Sequence, residues 1–226
     1  MLSDFFALFF PRFCAACDQA LVQGEEIICL QCDYRMARTD SLSDNNSFVA
    51  KKFYGRVELQ YVWAYYLFHK KGRIQNLIHR LKYDQMPEIG ELVGRKMGND
   101  LLKKRFEDLP DLIIPVPLHR IKLRKRGYNQ SEHFGTGLST TLKVPMNANA
   151  LIRATNTESQ TRKSRMLRWK NVHQIFSVPD MQTVHGRRVL LVDDVITTGS
   201  TLESCALTLL EAGATSVSVA AMAAAR

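Results

Sequence analysis

The chain has 226 residues, 46% of them apolar, and its 31 Lys and Arg against 22 Asp and Glu leave a net charge of +9. That length holds one full-sized domain plus a small module, and the composition excludes a disordered or fibrous chain. The apolar start, Phe5 to Phe10, stops at Pro11. It is far shorter than a membrane span and lacks the basic start and cleavage site of a signal peptide, so a cytoplasmic protein with no membrane span is expected.

Cys14, Cys17, Cys29 and Cys32 form two CxxC pairs eleven residues apart. In a reducing compartment this spacing points to metal rather than to disulfides. Two thiolate pairs complete a closed tetrahedral site, which favours a structural zinc ion over an iron–sulfur cluster or a redox pair. Such a module has few apolar residues of its own and should need its metal to fold. Residues 39–47 (TDSLSDNNS) are polar and turn-rich and mark a linker.

Apolar and aromatic residues then crowd residues 57–68, read as one long strand or two short ones. Ile74, Leu77, Ile78 and Leu81 have helical spacing, with His79 and Lys82 on or near the other face. After Pro87, Ile89, Leu92, Val93, Met97, Leu101 and Leu102 mark a second amphipathic helix. LIIPVP (residues 112–117) is a short buried strand entering a proline-held turn. A basic run follows directly: Arg120, Lys122, Arg124, Lys125 and Arg126. Residues 127–142 suggest a helix, and residues 144–152 an irregular stretch with a short strand. The polar segment 153–170 carries Arg162, Lys163, Arg165, Arg168 and Lys170 and reads as a loop or hood, with a helix possible over 164–172. Each basic cluster suits a polyanion, nucleic acid or a sugar pyrophosphate, as well as it suits a solvated face. His119 is read as a brace rather than a general base, and Cys205 as core. Residues 216–222 are a last buried strand.

The centre of the chain is VLLVDDVITTGST, residues 189–201. Four apolar residues without alternation read as a strand buried on both faces. Asp193 and Asp194 follow, at the carboxyl end where open α/β sheets bind ligands, placed to accept bonds from two ribose hydroxyls. Thr197, Thr198, Gly199, Ser200 and Thr201 form a hydroxyl-rich loop opening a helix, a position that suits a phosphate. All thirteen residues fit the phosphoribosyl pyrophosphate (PRPP) motif that they resemble, that of type I phosphoribosyltransferases. The competing reading, a buried strand ending in an Asp-capped turn, is outweighed by the length of the motif.

Taken together, the paired CxxC, LIHRLKYDQMPEIG (residues 77–90), IPVPLHRIKLRKRGYNQS (114–131), residues 153–176 and the PRPP motif resemble the ComF/GntX family over nearly the whole chain. The resemblance implies an α/β type I phosphoribosyltransferase fold, a parallel sheet flanked by helices. It divides the chain into a four-Cys zinc-ribbon-like module (1–40), a linker (41–55) and a phosphoribosyltransferase-like domain (56–226). Asp193 and Asp194 would face the ribose hydroxyls of PRPP, and Thr197 to Thr201 its 5′-phosphate. Mg²⁺ would accompany the pyrophosphate. Arg124, Lys125 and Arg126, or Arg162, Lys163 and Arg165, are candidates for the leaving group. The same basic residues, with Arg120 and Lys122, are candidates for single-stranded DNA, with Tyr128 and Trp169 the aromatics beside them.

The family's best-known members act in natural transformation on incoming single-stranded DNA, and others are linked only loosely to metabolism; the resemblance thus implies single-stranded DNA and DNA-uptake or helicase proteins as partners. Two other readings remain: an active transferase, of the glycosyltransferase class, moving ribose 5-phosphate from PRPP to an acceptor, and a non-catalytic PRPP-sensing regulator.

Overall fold

A computed structural model of the chain describes residues 11–104, 109–153 and 175–226. Of the segment 153–170 suggested as a basic hood, only Arg153 is described; the rest, with Arg162, Lys163, Arg165, Arg168, Trp169 and Lys170, lies outside the described residues.

Four strands make a parallel sheet in the order β1-β6-β5-β2: β1 (Val62–Phe68), β2 (Leu112–Pro115), β5 (Arg188–Ile196) and β6 (Ser216–Ala225). A separate two-stranded ladder pairs β3 (Ile152–Arg153) with β4 (Phe176–Ser177). Side chains alternate between two buried layers, which explains the uninterrupted apolar runs. Trp63, Leu190, Val192 and Met222 enter one layer, and Ala64, Val189, Leu191 and Val219 the other.

The first layer is closed by α2 (Arg73–Tyr83), α3 (Glu88–Lys103) and α5 (Gln130–Leu142). The second is closed by α6 (Ser200–Glu211) and a 3₁₀ turn at Ala50–Phe53. Helices α3 and α5 meet backbone to backbone. A Cβ at Gly94 would stand 2.3 Å from the Phe134 carbonyl oxygen, and one at Gly137 2.2 Å from that of Glu91. Gly90 and Gly98 continue the stripe one helical turn to either side.

Strand β5 runs through Asp193 and Asp194 to Ile196, so the acids lie toward its carboxyl end. Neighbouring β6 supplies backbone partners that far, with Asp193 opposite Ala221 and Val195 opposite Ala223. One expectation needs correction: the predicted linker is packed structure. Ser47, Val49, Ala50 and Phe53 are buried, and Ser41 Oγ donates to the Ala64 carbonyl (3.0 Å) and accepts from its N–H (2.8 Å). Turn-forming composition identified the irregular backbone there and could not register its side-chain burial.

The short helix α1 (Leu30–Arg35) carries Cys32. Cys14, Cys29 and Cys32 belong to the same buried layer as Trp63 and Leu77, so the cysteine segment shares a core with the sheet. Polar contacts fasten it to α2 and α3. Asn76 Nδ2 donates to the Ala16 carbonyl (3.0 Å), Lys96 pairs with Asp33 (2.8 Å), and Arg80 pairs with Asp18. Among the described residues no helix is long and apolar enough to cross a membrane.

Candidate phosphate site and four-cysteine cluster

Strand β2 stops at Pro115, opposite Val192, so Asp193 and Asp194 stand just past the end of that neighbour. Asp193 Oδ1 accepts from Ser131 Oγ (2.9 Å) and from the N–H of Asp194 (2.8 Å). Ser131 opens α5, which Asn129 caps by accepting from its N–H (3.2 Å). Asp194 Oδ2 lies 2.6 Å from Nζ of Lys82, in the last turn of α2. Burial, reinforced by the charge of Asp194, raises the Asp193 carboxyl to about 7, against the opposing pull of its hydrogen bonds and of Lys82.

Gly199, at φ +81°, turns the chain into α6. Only glycine takes that angle without strain, and a Cβ there would also meet the Phe53 ring at 2.9 Å. Asp193 and residues 195–202 line a small hollow. Thr198 and Ser200 hydroxyls lie 3.1 Å apart at its exposed rim. The first-turn amides of a helix have no acceptor within it, so hydroxyls, amides and the positive helix end converge on one spot suited to an anion.

The basic run forms α4 (Arg120–Arg126), with no buried residue. His119 caps it, Nδ1 accepting from the Ile121 N–H (3.3 Å), the bracing role read from the sequence. Arg120, Lys122, Arg124 and Lys125 are exposed, whereas Arg126 donates to Oε1 of buried Gln130 (2.6 Å) and lies 5.3 Å from the Tyr83 ring centroid. The structure thus separates one held arginine from four free-standing cations. Tyr128 packs edge-on against His133 and donates its hydroxyl to the Leu81 carbonyl, and Cys205 is buried.

Sequence reasoning missed three side chains here. Ser131 and Lys82 lie in stretches already singled out, but only the fold brings them to the acids. Arg56 carried no signal at all. Its Nη1 donates to the carbonyls of Thr198 (2.8 Å) and Lys52 (2.9 Å), and its Nη2 donates to Ser200 Oγ (3.2 Å) and the Glu203 carboxylate.

At the other centre, the sulfurs of Cys14, Cys17, Cys29 and Cys32 all lie within 4.8 Å of one another. Cys17 and Cys29 are 3.8 Å apart, about the separation that tetrahedral Zn–S bonds of ~2.3 Å require. Backbone N–H groups aim at sulfur: Ala16 (3.4 Å) and Cys29 (3.3 Å) at Cys14, and Cys32 (3.4 Å) at Cys29. Burial pushes the Cys14 thiol up, but these N–H groups outweigh it and bring it down to about 7. Burial raises Cys29 and Cys32. Four thiols this close cannot all ionise without a cation among them. Glu25 shapes the loop between the pairs by accepting from the N–H groups of Leu30 (2.7 Å) and Val22 (3.0 Å). The cluster can hold a metal ion.

The phosphoribosyl transferase domain profile matches residues 101–226, more than half of the sequence, and the chain belongs to that family. It is 37% identical over 146 residues to the DNA utilization protein YhgH of Escherichia coli O157:H7, covering 63% of each chain. Competence protein F of Haemophilus influenzae is 35% identical over 147 residues, 63% of this chain and 64% of that one. Competence protein ComFC of Bacillus subtilis is 34% identical over 110 residues, 49% and 42% respectively. These names bear out the ComF resemblance, and the chain spans a little under two thirds of the length of the first two relatives. Glutamine PRPP amidotransferase from B. subtilis, solved with ADP and GMP, superposes with a TM-score of 0.44 at 23% identity, covering 64% of this chain and 30% of that one.

Proposed function

We propose that this is a PRPP-binding, phosphoribosyltransferase-like protein of the ComF type that acts in the cytoplasm on incoming single-stranded DNA during natural transformation. The observation that carries the ligand part is the convergence of Asp193, Asp194 and the Thr197–Thr201 loop at one end of a parallel sheet, against the N-terminus of α6. The names competence protein F and ComFC, borne by relatives, support the DNA part.

In this reading the 5′-phosphate of PRPP occupies the loop, held by hydroxyls and helix amides. The two ribose hydroxyls donate to Asp193 and Asp194, with Ser131 and Lys82 fixing the two carboxylates. Mg²⁺ would be held mostly by pyrophosphate oxygens and water and would supply positive charge for the leaving group. Among the described residues Arg126 is a candidate cation for that end, held by Gln130 and Tyr83 near α2 and α5. Zinc on Cys14, Cys17, Cys29 and Cys32 is structural, since the closed sulfur set leaves no open position. Exposed Arg120, Lys122, Arg124 and Lys125 supply phosphate contacts for DNA.

The deciding experiment is calorimetric titration of the zinc-loaded protein with PRPP and Mg²⁺, alongside ribose 5-phosphate. Saturable binding that Asp193→Asn with Asp194→Asn weakens at least tenfold supports the site, and unchanged affinity in that variant removes it. Binding of a single-stranded oligonucleotide should fall steeply between 50 and 200 mM salt, roughly tenfold or more if three phosphates are contacted. Indifference to salt, or no binding, removes the DNA role.

A further inference from the structure

We propose that Arg56 is a positioning residue for the phosphate loop, a strut that sets the loop's shape and covers a negative charge beside it. The proposal rests on reading residues 197–201 as the phosphate site. Arg56 lies outside residues 101–226, the part that the family profile matches.

The guanidinium reaches four oxygens on two separate pieces of chain. One is the Lys52 carbonyl, on its own 3₁₀ turn. The other three, the Thr198 carbonyl, Ser200 Oγ and the Glu203 carboxylate, span the loop and the first turn of α6. A planar fork of five donors suits this, where a lysine would meet one or two of the acceptors. From the same turn, buried Phe53 closes the underside of Gly199. The loop is thus held from below by a ring and from the side by a guanidinium, both from residues 53–56.

Charge adds a second reason. Glu203 stands in the first turn of α6, where the helix end favours an incoming anion. Its carboxylate works against a phosphate at that spot, and Arg56 pairs with it. The strut therefore acts on ligand affinity in two ways: it holds the Thr198–Ser200 backbone in place, and it cancels the one acidic group of that first turn.

The test compares Arg56→Met, Arg56→Lys and Arg56→Met with Glu203→Gln in the full chain, by ribose 5-phosphate calorimetry and amide hydrogen exchange. For Arg56→Met the affinity should fall at least tenfold. Exchange at residues 197–201 should rise at least fivefold, while exchange in the cysteine segment and in β1 stays as in the parent. Arg56→Lys should fall between the two. The double variant should recover at least threefold of the lost affinity, an effect that mere loosening of the fold does not produce. Parent-like affinity and exchange in Arg56→Met overturn the proposal. So does a uniform rise in exchange over the whole chain, or a double variant no better than the single one. If the parent itself does not bind ribose 5-phosphate, the phosphate reading falls, and exchange at residues 197–201 still decides whether Arg56 holds the loop.

Discussion

Every donor of the four-cysteine cluster comes from residues 14–32, and backbone N–H groups of the same segment aim at the sulfurs. The acid and phosphate-loop site is assembled differently. Its side chains arrive from residues 53–56, from α2 through Lys82, from α5 through Ser131, and from β5 itself. The first centre is local in sequence, and the second exists only once three layers have packed. A local centre should fail through its own ligands. A distributed one should fail through distant packing that leaves the first untouched.

The largest effect is expected from Cys32→Ser. Cys32 is fully buried and shares its layer with Leu77 and Trp63. Loss of bound zinc, measured by elemental analysis, should accompany a stability loss of about 4 kcal/mol or more in denaturant titration. A variant that keeps one stoichiometric zinc would show that the donor set is drawn wrongly.

Next comes Gly137→Ala, which forces a methyl against the Glu91 carbonyl oxygen. Overpacking of this kind costs about 1–3 kcal/mol. Because α5 also carries Ser131, PRPP affinity should fall while zinc content stays at one per chain. Loss of zinc in this variant would mean that the two centres are not separable.

Asp193→Asn sharpens the distributed side. The folded carboxyl sits at about 7, above its ordinary 3.8, so the native state holds the proton over a range where the unfolded chain has released it. The contribution of this group to stability falls as pH rises from about 4 to about 7 and is lowest above that. The asparagine keeps an oxygen for Ser131 and for the Asp194 N–H and has no charge to bury. The variant should therefore be more stable than the parent at pH 8, with the difference vanishing near pH 4, as read by melting curves across pH. Equal curves would show that Asp193 is not held protonated.

The smallest effect is expected at the opposite end of β5, where Arg188 donates to both oxygens of Asp111 (2.7 and 3.1 Å). Those bonds hold the Asp111 carboxyl down at about 2. Its contribution is present above the ordinary carboxylate range and is lost as pH falls through about 2. The pair is more than a third exposed, so Asp111→Asn should cost under about 1 kcal/mol at pH 7 and leave zinc and ligand binding unchanged. A larger loss, or any change in ligand affinity, would mean that this edge communicates with the site.

Legibility followed the same division. CxxC spacing carries its chemistry within nineteen residues, and the fold then brings those four sulfurs together. The 189–201 motif likewise shows its strand, the acids toward that strand's carboxyl end, and the loop opening a helix. Arg56 is one arginine in an unremarkable stretch, and only the packing of the 3₁₀ turn under Gly199 gives it a task. Gly90, Gly94 and Gly98 fall within the helix predicted after Pro87, where apolar spacing alone gives them no task. Their role as the contact face for α5 needs the partner's Gly137 and Thr141 to be seen.

The sequence alone therefore determined the larger helices and sheet strands, the sulfur donors and the acid–hydroxyl motif, because each depends on periodicity or spacing within a few turns of chain. Tertiary structure alone decided that Lys82 meets Asp194, that Ser131 meets Asp193, and that residues 53–56 brace a loop some 140 positions away. Such contacts depend on which helix crosses which strand end, and no local pattern in the chain encodes that distance.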